Sequence, residues 1–504
     1  MNNLPIIKCD FYKCTHYAQF PKDMTKIVSY LTPRMSRVED KELVMFGLQY
    51  FIKKYMIEDF NKNFFSMPKK EVMKRYRRMM RYTLGENLTD CERWESLYDL
   101  GYLPLEICAV PEGTRIPMKV PMIQITNTHP DFMWLVNHFE TALSVTLWHM
   151  MASANVGYKY RKIVEKYYDK TVESEVPYNT AIGDFSMRGQ ESIESATTSS
   201  AAFLLSFVNT ATIPAIEFLE NYYNADIENE IVGKGLTSTE HSVMCSNYSV
   251  DRNEKDFILR LLTEIYPHDN FTMVSDSYDY WNLVANIMAE EDVKEAVLNH
   301  NGFIGIRGDS GNPVDIICGN PDCKDDIYEN LGTIGLLWST YGGTINSKGY
   351  KVLDKHIKVV YGDSITPERA EKIYRRLEEK GFAANNVSLG MGSYSMQSCE
   401  GNTPMTRDTY SIAVKSTYGE LEDGTKFEIF KNPKTDNGHF KKSQKGCCVV
   451  YKDDNGNITY KDGFNYLTAK FYVDNMLIPV FKDGKLLKNY TLEEVRNNLH
   501  KGWF

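Results

Sequence analysis

Four β-prone runs in the middle of the chain each end in an acidic or glycine-rich turn, and those turns carry the residues best suited to chemistry. They are FTMVSDSYD (271–279), GFIGIRGDSGNP (302–313), IKVVYGDSITPERA (357–370) and NNVSLGMGSYS (385–395). Asp276, Asp309 and Asp363 offer carboxylates that accept bonds from hydroxyl groups or hold a hard cation. Gly390 and Gly392 let a phosphate approach backbone N–H groups closely. A ring of carboxylates beside a glycine loop suits a substrate with ribose hydroxyls, phosphates and Mg2+.

Two further stretches could join them. His241 lies in TSTEHSVMC (237–245), next to Glu240 and among small hydroxyl residues. A lone histidine is more often structural, yet those neighbours suit a ring kept polar and reactive. DFSMRG (184–189) offers Phe185 as a stacking platform and Arg188, three residues on, as a phosphate ligand. The bland alternative is a buried Phe with a surface Arg.

Other motif readings fail. GDSGNP (308–313) resembles the surroundings of a chymotrypsin-type serine, but no histidine sits in an Ala-His-Cys context and no disulfide pattern accompanies it. GMGSYS (390–395) falls short of a dinucleotide fingerprint, and Gly401 and Pro404 break the helix that should follow. No G-x-x-x-x-G-K-[ST] stretch exists. Cys318 and Cys323 could supply half a zinc site, with no second Cys or His pair nearby to complete it.

The elements that must position these residues follow from pattern and punctuation. The third run leads into a helix with Thr366 as N-cap, Pro367 at its first position and Gly381 after its end. Strand, loop, helix is thus repeated, as in a (β/α) barrel, where the C-terminal ends of the strands converge on one mouth. The N-terminal third reads as mostly helical, with MWLVNHFETALSVTLWHMMASA (133–154) free of Gly and Pro. The C-terminal stretch reads as β-rich, with turns at Asn455-Gly456 and Asp483-Gly484, before a helix opened by a Thr491/Glu494 capping box. The expected fold is α/β. A barrel-like catalytic domain over 151–420 is joined by a smaller α+β domain built from 1–150 and the returning 421–504.

Composition narrows the class. With 504 residues, 42% hydrophobic and 25% charged, the chain is an ordinary globular protein long enough for two or three domains. A net charge of −9 gives no support to nucleic-acid or membrane binding. The one basic run, KKEVMKRYRRMMRY (69–82), has helical spacing and reads as a solvated helix face. The N-terminus MNNLPIIKCD lacks a signal-peptide core, and ten cysteines in no small-domain pattern suit a reducing compartment, so a cytoplasmic location is expected.

Taken together, DFYKCTHY (10–17), GDFSMRG (183–189), EHS (240–242), VSDSYD (274–279), IRGDSGNP (306–313), YGD (361–363), FKNP (430–433) and KKSQKG (441–446) resemble the nicotinamide phosphoribosyltransferase family. The resemblance implies a type II phosphoribosyltransferase, a homodimer with sites at the subunit interface. Such a glycosyltransferase (pentosyltransferase) joins nicotinamide to phosphoribosyl pyrophosphate, giving nicotinamide mononucleotide and pyrophosphate for NAD salvage. It further implies that the pyridine ring stacks between Phe185 and Tyr12 of the partner subunit, and that Arg307 bonds the carboxamide oxygen. Asp309, Gly362 and Asp363 would address the ribose, with Asp276 and Asp309 near Mg2+. Arg188, Arg407, Lys415, Lys431 and Lys441 would bind phosphates, and His241 would be the histidine that ATP phosphorylates.

This sequence departs from the family at specificity positions. Ala211 stands where the family usually has an aspartate facing the carboxamide. Ser393 and Tyr394 replace glycines of the phosphate loop, Ala413 replaces a serine, and SCEGNTPM (398–405) is inserted. Three alternatives therefore stay open: an ADP-ribose pyrophosphate donor giving NAD directly, a nicotinate-using relative, and a non-catalytic nucleotide sensor.

Overall fold

The β-branched and aliphatic runs build one wholly parallel sheet. Its strands lie in the order Asn209–Thr210, Ile182–Asp184, Val387–Met391, Ile357–Tyr361, Ile304–Gly308, Phe271–Val274 and Thr237–Ser238. Neighbours pair in parallel, for example Ile304 with Ile357 and with Phe271. The strands are almost continuously apolar because both faces are covered, as parallel sheets require. Ile182, Met273, Ile306, Val359 and Leu389 lie in one core with Phe203, Leu337, Ile373 and Leu377 from the surrounding helices.

The sheet curls toward a barrel. Lys234 pairs with Asn209, its N–H donating to Val208 O at 2.6 Å, so the segment leading into the last strand lies against the first. The helix Pro367–Glu379 has the expected start, with the Thr366 hydroxyl accepting from Arg369 N–H. Gly381 follows it at φ 75°, a conformation that favours glycine.

The computed structural model describes residues 4–88, 91–431, 433 and 443–500. The chain divides into two units, one formed by Val156–Phe218 and Asp226–Ser398, which holds the parallel sheet, and one formed by Met1–Asn155, Leu219–Ala225 and Cys399–Phe504. The second unit takes up the larger share of the chain. It begins again at Cys399, earlier than the expected boundary at 420, because the strand Ile412–Leu421 pairs antiparallel along Met24–Pro33.

That second unit is built on a seven-stranded sheet in the order Lys426–Glu428, Ile412–Leu421, Met24–Pro33, Ile123–Asn127, Leu105–Ala109, Ile478–Lys482 and Lys485–Leu486. The N-terminal part supplies three of these strands and is otherwise mostly helical, as its pattern suggests, with 133–154 falling largely in the helices Leu135–His138 and Glu140–Thr171. Both expected C-terminal turns form, with Gly456 at φ 80° and Gly484 at φ 78°. The Thr491/Glu494 capping box is also present. The basic run forms the helix Lys69–Thr83, which buries Val72, Met73, Tyr76 and Met80. Its cations Lys69, Arg77 and Arg81 pair with Asp99, Glu95 and Glu86, which fits the solvated-face reading. Among the described residues no helix is long and apolar enough to cross a membrane.

Candidate active site

Because the strands run in parallel, the loops after them line one edge of the sheet. In strand order these loops open at Ala211, Phe185, Gly392, Gly362, Asp309 and Ser275, and the last strand leads to His241. The sequence-predicted residues of the barrel unit thus gather by topology alone.

Their side chains form a continuous array. His241, at the start of the helix His241–Asp251, places Nε2 3.2 Å from Asp276 Oδ1. The other carboxylate oxygen of Asp276 accepts from Asp309 N–H at 3.0 Å. Asp309 in turn accepts from Arg307, with Nε at 3.1 Å and the terminal nitrogen at 2.6 Å, a bidentate pair. The guanidinium carbon of Arg307 lies 5.7 Å from the centre of the Phe185 ring.

Burial pushes the Asp276 pKa up, but the Ser310 hydroxyl, the Asp309 N–H and His241 outweigh it and hold the carboxyl below its ordinary value. Its side chain is 4% exposed and that of His241 52%, so a buried anion orients an accessible imidazole.

Two glycines make this packing possible. A Cβ on Gly362 would lie 2.8 Å from Asp309 Oδ1 and 3.2 Å from Arg307 Nε. One on Gly390 would fall 2.3 Å from Phe185 Cδ2. Gly390 therefore makes room for the aromatic ring, whereas Gly392 has open space around it. Ser393 packs its hydroxyl over Gly189, where an added Cβ would meet it at 2.0 Å. Tyr394, 47% exposed, opens the short helix Tyr394–Gln397, and Gln397 Nε2 donates to Gly189 O at 2.8 Å. Arg188 is exposed on the turn Met187–Gly189, and Asp363 is exposed and accepts from the Ser364 hydroxyl at 2.7 Å. Ala211 is exposed, its N–H donating to Asp184 O at 2.8 Å.

The remaining predicted residues belong to the other unit. Tyr12 is 54% exposed on the turn Phe11–Cys14. Lys415 lies near Glu140, and its pKa is lowered chiefly by burial, with Arg34, Lys13 and Lys431 adding to the shift and Glu140 opposing it. Glu140 thus pairs with both Lys13 and Lys415, and Arg34 and Lys431 add positive charge near Lys415. Arg407 pairs with its neighbour Asp408 at 3.0 Å. Lys431 donates its backbone N–H to Ser443 Oγ at 2.9 Å. Ala413 is buried in the sheet opposite Thr32. Lys441 lies outside the described residues. Lys13 and Arg34 escaped the sequence reading, although Lys13 stands inside DFYKCTHY and was legible there as a cation next to Tyr12.

Residues 180–468 match the Nicotinate phosphoribosyltransferase (NAPRTase) family, and residues 4–107 match the family described as Nicotinamide phosphoribosyltransferase, N-terminal domain. The chain belongs to the nicotinate phosphoribosyltransferase family. A nicotinamide phosphoribosyltransferase of Acinetobacter baylyi is 38% identical over 98% of this chain and 97% of its own. Another, from Xanthomonas campestris pv. campestris, is 29% identical over 98% of each chain. The solved nicotinate-nucleotide pyrophosphorylase of Pyrococcus furiosus shares the fold, with a TM-score of 0.56 at 13% identity over 99% of this chain and 96% of its own.

Proposed function

We propose that this enzyme joins nicotinamide to phosphoribosyl pyrophosphate, giving nicotinamide mononucleotide and pyrophosphate. The observation that carries the choice of base is the bidentate Arg307–Asp309 pair beside Phe185. Its guanidinium charge is already matched by a carboxylate. A neutral carboxamide can bond Arg307 through its oxygen, whereas the carboxylate of nicotinate would be brought against Asp309. This selects the amide even though Ala211 offers no carboxylate to the NH2 group.

The chemistry asks for positioning and charge neutralisation more than proton transfer. The pyridine nitrogen forms a bond to the anomeric carbon as the bond to the pyrophosphate oxygen breaks, and the electron pair leaves with pyrophosphate. Phe185 holds the ring by stacking, and Asp309, Asp363 and the Gly362 backbone address the ribose. Arg188, Arg407, Lys415, Lys431 and Lys441 supply charge for the phosphates. Asp276 and Asp309, joined through the Asp309 N–H, are the carboxylates that would hold Mg2+. When bound, the ion neutralises phosphate charge. We place Tyr12 of the partner subunit on the opposite face of the pyridine in a homodimer, and ATP as the phosphoryl source for His241.

A second reading concerns the donor alone. Ser393 and the half-exposed Tyr394 occupy loop positions where glycines would present bare backbone, which suits a phosphodiester with a further group stacked beyond it. One experiment covers both readings: purified enzyme, Mg2+, nicotinamide or nicotinate, and either phosphoribosyl or ADP-ribosyl pyrophosphate, with products identified by mass spectrometry. Nicotinamide mononucleotide should form, with kcat/KM at least about tenfold higher for nicotinamide than nicotinate, some 1.4 kcal/mol. A preference for nicotinate overturns the choice of base. NAD formed from the ADP-ribosyl donor, with phosphoribosyl pyrophosphate inert, establishes the second reading.

A further inference from the structure

Asp184 is a carboxylate that the reaction itself does not use. It is the last residue of the strand Ile182–Asp184, fully buried, and directly precedes the Phe185 ring. Its Oδ1 accepts from Ser186 N–H at 3.0 Å. Its Oδ2 accepts from the hydroxyls of Thr210 and Thr212, each at 3.3 Å, and from that of Ser200. Its backbone oxygen accepts from Ala211 N–H at 2.8 Å. All of these partners are neutral. A buried carboxylate met by neutral donors is stable only while several of them converge on it, and loosening them is more expensive than for a neutral acceptor.

The donors come from separate elements. Ser186 follows Phe185, Ser200 lies on the buried face of the helix Ile193–Phe203, and Thr210 and Thr212 stand on either side of Ala211. Thr212 N–H also donates to Thr210 Oγ1 at 2.9 Å, which tightens the turn around Ala211. The two residues expected to face the base, Phe185 and Ala211, are therefore each bracketed along the chain by groups tied to one buried carboxylate.

We propose that Asp184 is the positioning residue for the base-binding half of the site, fixing the Phe185 ring and the Ala211 turn at the same time. The proposal rests on the reading of the site as one for nicotinamide. It assigns Asp184 no contact with substrate, and its effect on base affinity is carried by the Phe185 ring, since Ala211 offers the base only a methyl group and no polar bond to lose.

Asp184→Asn keeps the shape and the acceptor for Ser186 N–H but turns a donor toward three hydroxyls that were donating. The KM for nicotinamide should rise about tenfold while the KM for phosphoribosyl pyrophosphate stays within about twofold. Combined with Phe185→Ala, it should add less than about twofold to the loss seen with Phe185→Ala alone, since coupled residues are not additive. A KM for nicotinamide at the wild-type value, or both KM values rising together, overturns the proposal. So does full additivity with Phe185→Ala. If Asp184→Asn does not fold, Ser200→Ala combined with Thr212→Val should show the same split at about threefold, and its absence there is equally decisive. A wild-type enzyme inert toward this substrate pair would instead remove the reading on which the proposal stands.

Discussion

At the scale of single residues, the clearest physical contrast is between His241 and Asp276. One is half exposed and the other almost fully buried, 3.2 Å apart. Because Asp276 engages Nε2, Nδ1 is the ring nitrogen proposed to take a phosphoryl group. With Mg2+ and γ-labelled ATP, the protein should acquire an acid-labile label. His241→Ala should abolish it, while turnover without ATP falls by less than about tenfold, because the cations and carboxylates proposed to serve pyrophosphate departure remain. Asp276→Asn should slow the labelling. Label that persists in His241→Ala would move the phosphoryl acceptor elsewhere.

At the scale of elements, the aromatic layer around the helix Leu135–His138 sets a limit on acid stability. His138 is buried, with Trp94 and Trp134 packed edge-on against it. Burial first, then the Arg93 charge, push its pKa down from 6.5 to about 3. Between those values the unfolded chain binds a proton that the folded chain refuses. Stability is therefore complete above about pH 6.5 and is lost as pH falls toward 3, on the order of a few kcal/mol in all. His138→Phe should flatten the fall in urea midpoint between pH 6.5 and 4; an unchanged slope would show that other groups carry it. The same scale shows what the sequence made legible. The four strand runs and their turns could be read because each is local: a β-branched run, then an acidic or glycine stop. Parallel pairing then delivered their loops to one edge without further information. The pairing of Ile412–Leu421 with Met24–Pro33 was not legible, since it joins distant segments through hydrogen bonds that leave no local pattern. Nor was the service of Gly390 to Phe185, or the role of Asp184, because both depend on which atoms meet across neighbouring strands.

At the scale of the whole molecule, the proposed homodimer can be tested through residues left uncovered. Phe11 and Tyr12 are both 54% exposed, although they share one short turn with buried Lys13 and Cys14. In the other unit, Ile193 and Ile213, which follow the Phe185 and Ala211 loops along the chain, are 70% and 78% exposed. Apolar side chains left bare in the neighbourhood of a site are the usual mark of a surface that another subunit covers. If Tyr12 of the partner subunit completes the clamp on the ring, each site takes Phe185 from one protomer and the tyrosine from the other. Tyr12→Ala and Phe185→Ala homodimers would then each lack half of every clamp. A mixed dimer, isolated with two different tags after co-expression, would concentrate both defects in one site and leave the other intact. Under twofold symmetry its kcat/KM for nicotinamide should be about half that of wild type, well above either parent. A mixed dimer no more active than its parents, or a chain that sediments as a monomer at assay concentrations, would show that Phe185 and Tyr12 do not meet across an interface.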